Sequence, residues 1–326
     1  MKRSRNMEAL YPFVELKSDG LRLEVSVPDK DNGFYRGTRF DRAGVFGCIE
    51  YNGIVFSDKW FDRHDPYRHD SLTGPVEEFS QNGYDDAGPG GLFVKPGVGI
   101  LRREDCSNYD WFHLYPVADE GWRDMDVQEN SITFKQAVNT SVYGYAYMKK
   151  ILLDSGPGTF SIEHILQNTG EKPLSGYVYN HNFFTLGGRG TGPWTDIKLP
   201  FEPSGNWRCK YDSVTVKGQR FQFSRPLETG ETVYMGDIHN ASGACPYGFS
   251  ISSVLPAADT LSLDKTKAQV EVSSDAELHH AVFWGIKRVA CIEPHTPYHI
   301  LPGCTFRWSV RYKLSVEKSC GYPSLK

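Results

Sequence analysis

Apolar and polar positions alternate along most of this chain with a period of two. The clearest run is TFRWSVRYKL (305–314). Phe306, Trp308, Val310, Tyr312 and Leu314 fall on one side, and Arg307, Ser309, Arg311 and Lys313 on the other. Successive side chains of an extended strand point to opposite faces, so the run predicts a strand half buried against a core. LRLEVSV (21–27), FSIEHIL (160–166) and RFQFS (220–224) repeat the pattern. YVYNHNFF (177–184) carries a looser form, with Tyr177, Tyr179, His181 and Phe183 on one face and Val178, Asn180, Asn182 and Phe184 on the other. Turn-forming clusters separate the runs: DSGPG (154–158), NTGEKP (168–173), ETGE (228–231) and LPGC (301–304). No long stretch follows the helical period of 3.6, although PAADTLSLDKTKAQ (256–269) has room for a helical turn or two. Strands spread evenly, without a Pro/Ser linker, predict a single all-β domain, residues 1–326, built of large packed sheets. Residues 52–102 break the pattern. They are polar and glycine-rich, and are expected to form long irregular loops of the kind that carry function.

Composition narrows the function. The 326 residues have a formal net charge of -4, which gives no electrostatic case for nucleic acid or an anionic membrane surface. Aromatic residues make up 13% of the chain, which suits both a β core and the stacking of rings on the flat faces of a sugar. No window approaches a membrane span, and MKRSRNMEALYPF lacks the apolar stretch of a secretory signal. The seven cysteines are scattered, odd in number and never in C-x-x-C spacing. Reduced thiols in a cytoplasm are therefore expected rather than a disulfide scaffold or a zinc knuckle.

Two residues stand out as candidates for chemistry. Glu293, in VACIEPHTPYHILPG, follows an apolar strand and precedes a proline, which is expected to end the strand's hydrogen-bond ladder there. A partly desolvated carboxylate at a strand end can serve as a general base, the alternative being an ordinary surface glutamate. His181 sits among aromatic residues between two asparagines. It is either a proton donor or a core histidine satisfied by one hydrogen bond. His295 and His299 have an H-x-x-x-H spacing, but Pro297 between them argues against a helical metal site.

Taken together, YNHNFFTLGG and CIEP…ILPG…F resemble segments of the aldose 1-epimerase (galactose mutarotase-like) family. In that family a strand reading roughly N-H-x-[YF]-F-x-L carries the catalytic histidine, and one reading roughly C-L-E-x-Q, followed by a P-G turn, carries the catalytic glutamate. The resemblance covers about the C-terminal half and places His181 and Glu293 on those positions. It implies a β-supersandwich of two large, mostly antiparallel sheets with a sugar cleft on a concave face, and a small-molecule carbohydrate substrate. It also implies chemistry without a cofactor or metal. Glu293 takes the proton of the anomeric hydroxyl, His181 gives one to the ring oxygen, the sugar opens, C1–C2 rotates, and the ring closes on the other face.

The N-terminal half departs from the family pattern. Arg36 and Arg39 lie near the family's N-R-[IV] turn. They could grip the substrate or pair with Asp41 and its neighbours. YRHDSLTGPVEEF has no H-G-G loop but supplies His69, Glu77 and Glu78 as candidate sugar-binding groups. Asn180 is a candidate for binding substrate and for orienting neighbouring groups, and Asp237 stands where the family often has a hydroxyl-binding aspartate. Lys95 would be notable if buried and ordinary on an edge. Trp194 and Trp207 are either stacking platforms or core residues. A lyase or another isomerase acting on a keto-sugar or uronide, and a non-catalytic carbohydrate binder, remain open as alternatives. The oligomeric state is not legible in the sequence.

Overall fold

The computed structural model describes residues 11–207, 213–240, 247–256 and 265–319. Among these residues there are twenty-three strands, one short 3-10 turn at Leu186–Gly188, and no α-helix. Among the described residues no helix is long and apolar enough to cross a membrane. The strands form sheets of ten, six, four and three.

Thr305–Ser319, the alternating run that the sequence marks most clearly, lies at the middle of the ten-stranded sheet, between Lys265–Ser274 and Thr159–Asn168. Phe160 is registered opposite Tyr312, and their rings stack at 4.8 Å. The inward residues Ile162, Val310 and Tyr312 share one hydrophobic core with Val178, Phe283 and Ile292 of the six-stranded sheet. Two large antiparallel sheets thus bury their apolar faces against each other, as period-two patterning demands.

The six-stranded sheet runs, in spatial order, Pro203–Trp207, Thr232–Asn240, His280–Ile286, Val289–Ile300, Leu174–His181 and Val76–Phe79. Its other face carries the candidate chemistry.

Three expectations change. Pro294 does not end the ladder: the strand Val289–Ile300 runs through both Pro294 and Pro297. It is a central strand paired on both sides, so losing two N–H donors among twelve residues leaves enough ladder to hold it. Residues 265–269 begin the strand Lys265–Ser274 rather than a helical turn, and 257–264 lie outside the described residues. Residues 52–102 contain four short strands, Ile54–Ser57, Val76–Phe79, Leu92–Lys95 and Gly99–Arg102. Val76–Phe79 reads VEEF. Its acidic pair hides a fully buried strand because both carboxylates find cations inside the fold.

Candidate active site

Strand alternation and register select the site. Tyr179 is opposite Glu78 on one side and His295 on the other. His280 in turn faces His295, Val282 faces Glu293, and Trp284 faces Cys291. Opposed residues of an antiparallel pair share a face. Glu78, Tyr179, His181, Cys291, Glu293, His295, His280 and Trp284 therefore line one face. Asn180, Val178, Glu77 and Phe79 point the other way, into the space between the sheets.

His181 and Glu293 meet on adjacent strands. Nε2 of His181 lies 3.2 Å from Oε1 of Glu293, and both side chains are nearly buried, 8% and 9% exposed. The imidazole is stacked on Phe183 at 3.7 Å and flanked edge-on by Phe40 and Trp284. Its strand end is pinned by Asn182, whose amide donates to the Ile292 carbonyl at 2.8 Å and whose oxygen accepts from Tyr312 at 3.0 Å. Gly74 passes so close that a Cβ there would lie 2.4 Å from the His181 carbonyl oxygen, so only glycine fits. Burial pushes the Glu293 carboxyl up to about 7, with Arg39 partly opposing. Burial also drives His181 well below its ordinary range, helped by Arg39, His295 and His69.

Sequence reasoning passed over Cys291, the third member of this contact. Its Sγ is 3.5 Å from His181 Nδ1 and 3.5 Å from Glu293 Oε1. The C-I-E spelling held the signal: residues two apart on a strand share a face.

Beside the pair stands a charged cluster. Glu78 accepts from Arg39 Nε at 2.6 Å and from the Tyr179 hydroxyl, and lies 3.5 Å from Lys95. Arg39 also donates to Tyr179 at 3.0 Å. Burial opposes the Arg39 charge, but Glu78 and Tyr179 outweigh it and raise its pKa well above the usual range. Lys95 is completely buried, and burial, only partly offset by Glu78, brings it down to about 8. Trp111 and Phe112, both exposed, close over this cluster. Lys95 Nζ is 5.5 Å from the Trp111 ring, and Arg39 is 5.0 Å from the Phe112 ring.

The remaining candidates separate by location. His69 packs against Phe112 at 4.7 Å, near Arg39. Asp237, exposed and in the left-handed region at φ 50, accepts from Asn206 at 3.2 Å at the far end of the sheet. Arg36 lies over the Tyr67 ring and donates to the Asp31 carbonyl, away from Asp41. Glu77 and Asn180 face the core instead: Asn180 donates to Glu77 at 2.9 Å, and Glu77 pairs with the buried Lys149. His295 stacks on Tyr179 at 4.2 Å and on His280 at 4.3 Å, while His299 bonds Ser175 at 2.7 Å. Trp194 lies under Arg189, and Trp207 packs against Phe221 and Phe283. A surface cavity of about 740 Å³ on the ten-stranded sheet includes Lys198, Glu271, Arg311 and Lys313 in its lining. Among its described lining residues there is no imidazole or thiol.

Two sheets packed as a supersandwich, with a histidine and a glutamate in contact on the open face of the smaller one, define the class of fold. Solved structures with the same chain path include the Slr1438 protein of Synechocystis sp. PCC 6803, at 14% identity and a TM-score of 0.51 over 94% of this chain and 96% of that one. A galactose mutarotase-like protein of Lactobacillus casei matches at 11% identity and 0.51, over 93% and 100% of the two chains. Another from Clostridium acetobutylicum matches at 14% and 0.50, over 95% and 96%. The chain has the galactose mutarotase-like fold. No protein-family model and no curated protein sequence matches it.

Proposed function

We propose that this protein is a carbohydrate-active isomerase that interconverts sugar anomers, with His181 and Glu293 as its acid–base pair. The single observation that carries the reading is their 3.2 Å contact on the face beside Glu78 and Arg39. The anomeric hydroxyl and the ring oxygen are bonded to the same carbon. Groups that take a proton from one and give a proton to the other must themselves stand close together. A contact pair placed edge-on to the hemiacetal meets that need.

The pair works as a one-proton unit. Burial rests that proton on Glu293; passed across the contact to the imidazole, it leaves Glu293 to accept from the anomeric hydroxyl while His181 donates to the ring oxygen. The ring opens and the proton now lies on the carboxyl. After rotation about C1–C2 the transfers run in reverse, closing the ring on the opposite face and restoring the pair. Arg39, oriented by the buried Glu78, would bind sugar hydroxyls, and the exposed Trp111 and Phe112 would cover an apolar sugar face. The galactose mutarotase-like structures that share the fold support this substrate class.

Two measurements test the reading. Anomerisation of common aldoses, followed by polarimetry or NMR, is expected to run well above the uncatalysed rate. His181→Asn is expected to lower it by about 10²–10⁴-fold. An unchanged rate in that variant sinks the role of His181. The pH profile is equally diagnostic. The shared proton leaves as pH rises through about 7, the value to which burial lifts Glu293. Turnover per free enzyme, kcat/KM, is therefore expected to fall above that pH. A rate that instead climbs through this range identifies Glu293 as a carboxylate base acting without a protonated partner.

A further inference from the structure

Cys291 gives the pair a second capacity. We infer that His181, Cys291 and Glu293 form a binding site for one thiophilic divalent cation of the zinc type. One donor atom from each of the three buried side chains can be chosen so that all lie within 4.8 Å of one another. The measured edges are 3.2 Å from Nε2 to Oε1, 3.5 Å from Sγ to Oε1, and 3.5 Å from Sγ to Nδ1. A tetrahedral zinc ion with bonds of about 2.0–2.3 Å holds its N, O and S ligands roughly 3.3–3.6 Å apart. Each ring nitrogen makes one edge of that length, and for one choice of nitrogen all three donor atoms lie within 4.8 Å of one another. Because Sγ faces one ring nitrogen and Oε1 the other, a small swing of the imidazole on Phe183 is all that one nitrogen needs to complete it.

Charge favours the same occupant. Two acidic groups are buried side by side, and among the described residues neither has a hydrogen bond to a lysine or arginine. Arg39 is committed to Glu78 and Tyr179. On binding, the thiol releases its proton to solvent, and so does the carboxyl where it is protonated. The resulting thiolate and carboxylate together neutralise a doubly charged ion, while neutral imidazole supplies the third bond. Sulfur and imidazole donors select zinc, cobalt or iron over magnesium and calcium. The thiol is the floor of the site, wholly buried, and the cation enters past the slightly exposed imidazole and carboxylate.

Cobalt(II) is the probe. The full chain, carrying Cys106→Ser and Cys304→Ser at the exposed thiols of the described residues and serine also at Cys209, Cys245 and Cys320, which lie outside them, is stripped with a chelator and titrated with Co²⁺. One equivalent is expected to bind, with visible bands of a tetrahedral ion and a near-ultraviolet thiolate-to-cobalt band, all bleached by Zn²⁺. Adding Cys291→Ser is expected to abolish the thiolate band. Persistence of that band, or no saturable complex, overturns the inference. If that variant does not fold, Glu293→Gln provides the second arm. It is expected to weaken Co²⁺ binding by more than about 10-fold, because a direct ligand rather than an outer partner is lost, and unchanged affinity overturns the site. A bound cation occupies the lone pairs that proton transfer uses, so Zn²⁺ is also expected to stop anomerisation of the chelator-treated protein. The spectra report on the site whether or not the protein turns over a sugar, so failure of either reading is visible separately.

Discussion

Glu293→Gln is expected to lower anomerisation by about 10²–10⁴-fold while leaving the protein folded and more resistant to unfolding at pH 8. Glutamine keeps the shape of the buried side chain but cannot exchange a proton with His181. The stability gain follows from linkage. The folded carboxyl titrates at about 7, against 4.5 as its ordinary value. The raised folded pKa favours the native state fully below the ordinary value. Between the two values the unfolded chain releases its proton and the native protein keeps it. Native stability therefore falls as pH rises, and levels off above about 7. The shift corresponds to something on the order of 3 kcal/mol. Glutamine never ionises, so relative to the wild type the variant gains that amount between pH 4 and pH 8. Urea unfolding at the two pH values, with polarimetry alongside, measures both effects. A variant that keeps near-normal turnover removes Glu293 from the chemistry. One whose stability relative to wild type is the same at both pH values means that the carboxyl is not held up in the native state.

The largest loss of stability is expected elsewhere, at Lys149→Met. The ammonium of Lys149 is completely buried between the two large sheets. It pairs with Glu77, lies 3.7 Å from Asp41 and donates to the Ala43 carbonyl at 2.9 Å. Tyr147 donates to Asp41 at 3.1 Å, and Asn180 to Glu77 at 2.9 Å. Methionine fills the volume but leaves two carboxylates inside the protein without their cation. Breaking one side of such a pair costs about 3–5 kcal/mol, because an uncompensated charge stays buried. Urea unfolding followed by tryptophan fluorescence reads this directly. Adding Glu77→Gln is expected to restore much of the loss, since the stranded charge is then removed as well. A loss below about 1 kcal/mol would show that the pair behaves like a solvated surface contact. The network also bears on the site, because the Glu77–Asn180 bond ties Val76–Phe79 to the strand that ends at His181.

These two glutamates mark the boundary of what sequence can reveal. Alternation made the all-β class legible, and TFRWSVRYKL, FSIEHIL and RFQFS each became strands because period-two amphipathicity has one good solution, a sheet with one face buried. It also divided 177–184 into its two faces correctly. The motif resemblance then singled out residues 181 and 293, which lie 112 positions apart in the chain and 3.2 Å apart in space.

Alternation could not show which of Glu77 and Glu78 faces the cleft. Adjacent residues of a strand always point to opposite sides, and only the pairing with Tyr179 and Asn180 assigns the sides. Nor could it show that Lys149 points inward and Lys150 outward, or that Lys95 is buried. Such placements depend on partners far away in sequence, such as Glu78 for Lys95 and Glu77 for Lys149. The sequence by itself determined the class of fold and the residues competent for proton transfer, because side-chain periodicity and acid–base chemistry are local properties. Tertiary structure alone decided which charges are desolvated, which are paired, and that a thiol joins the imidazole and carboxylate, because desolvation and contact are properties of converging strands.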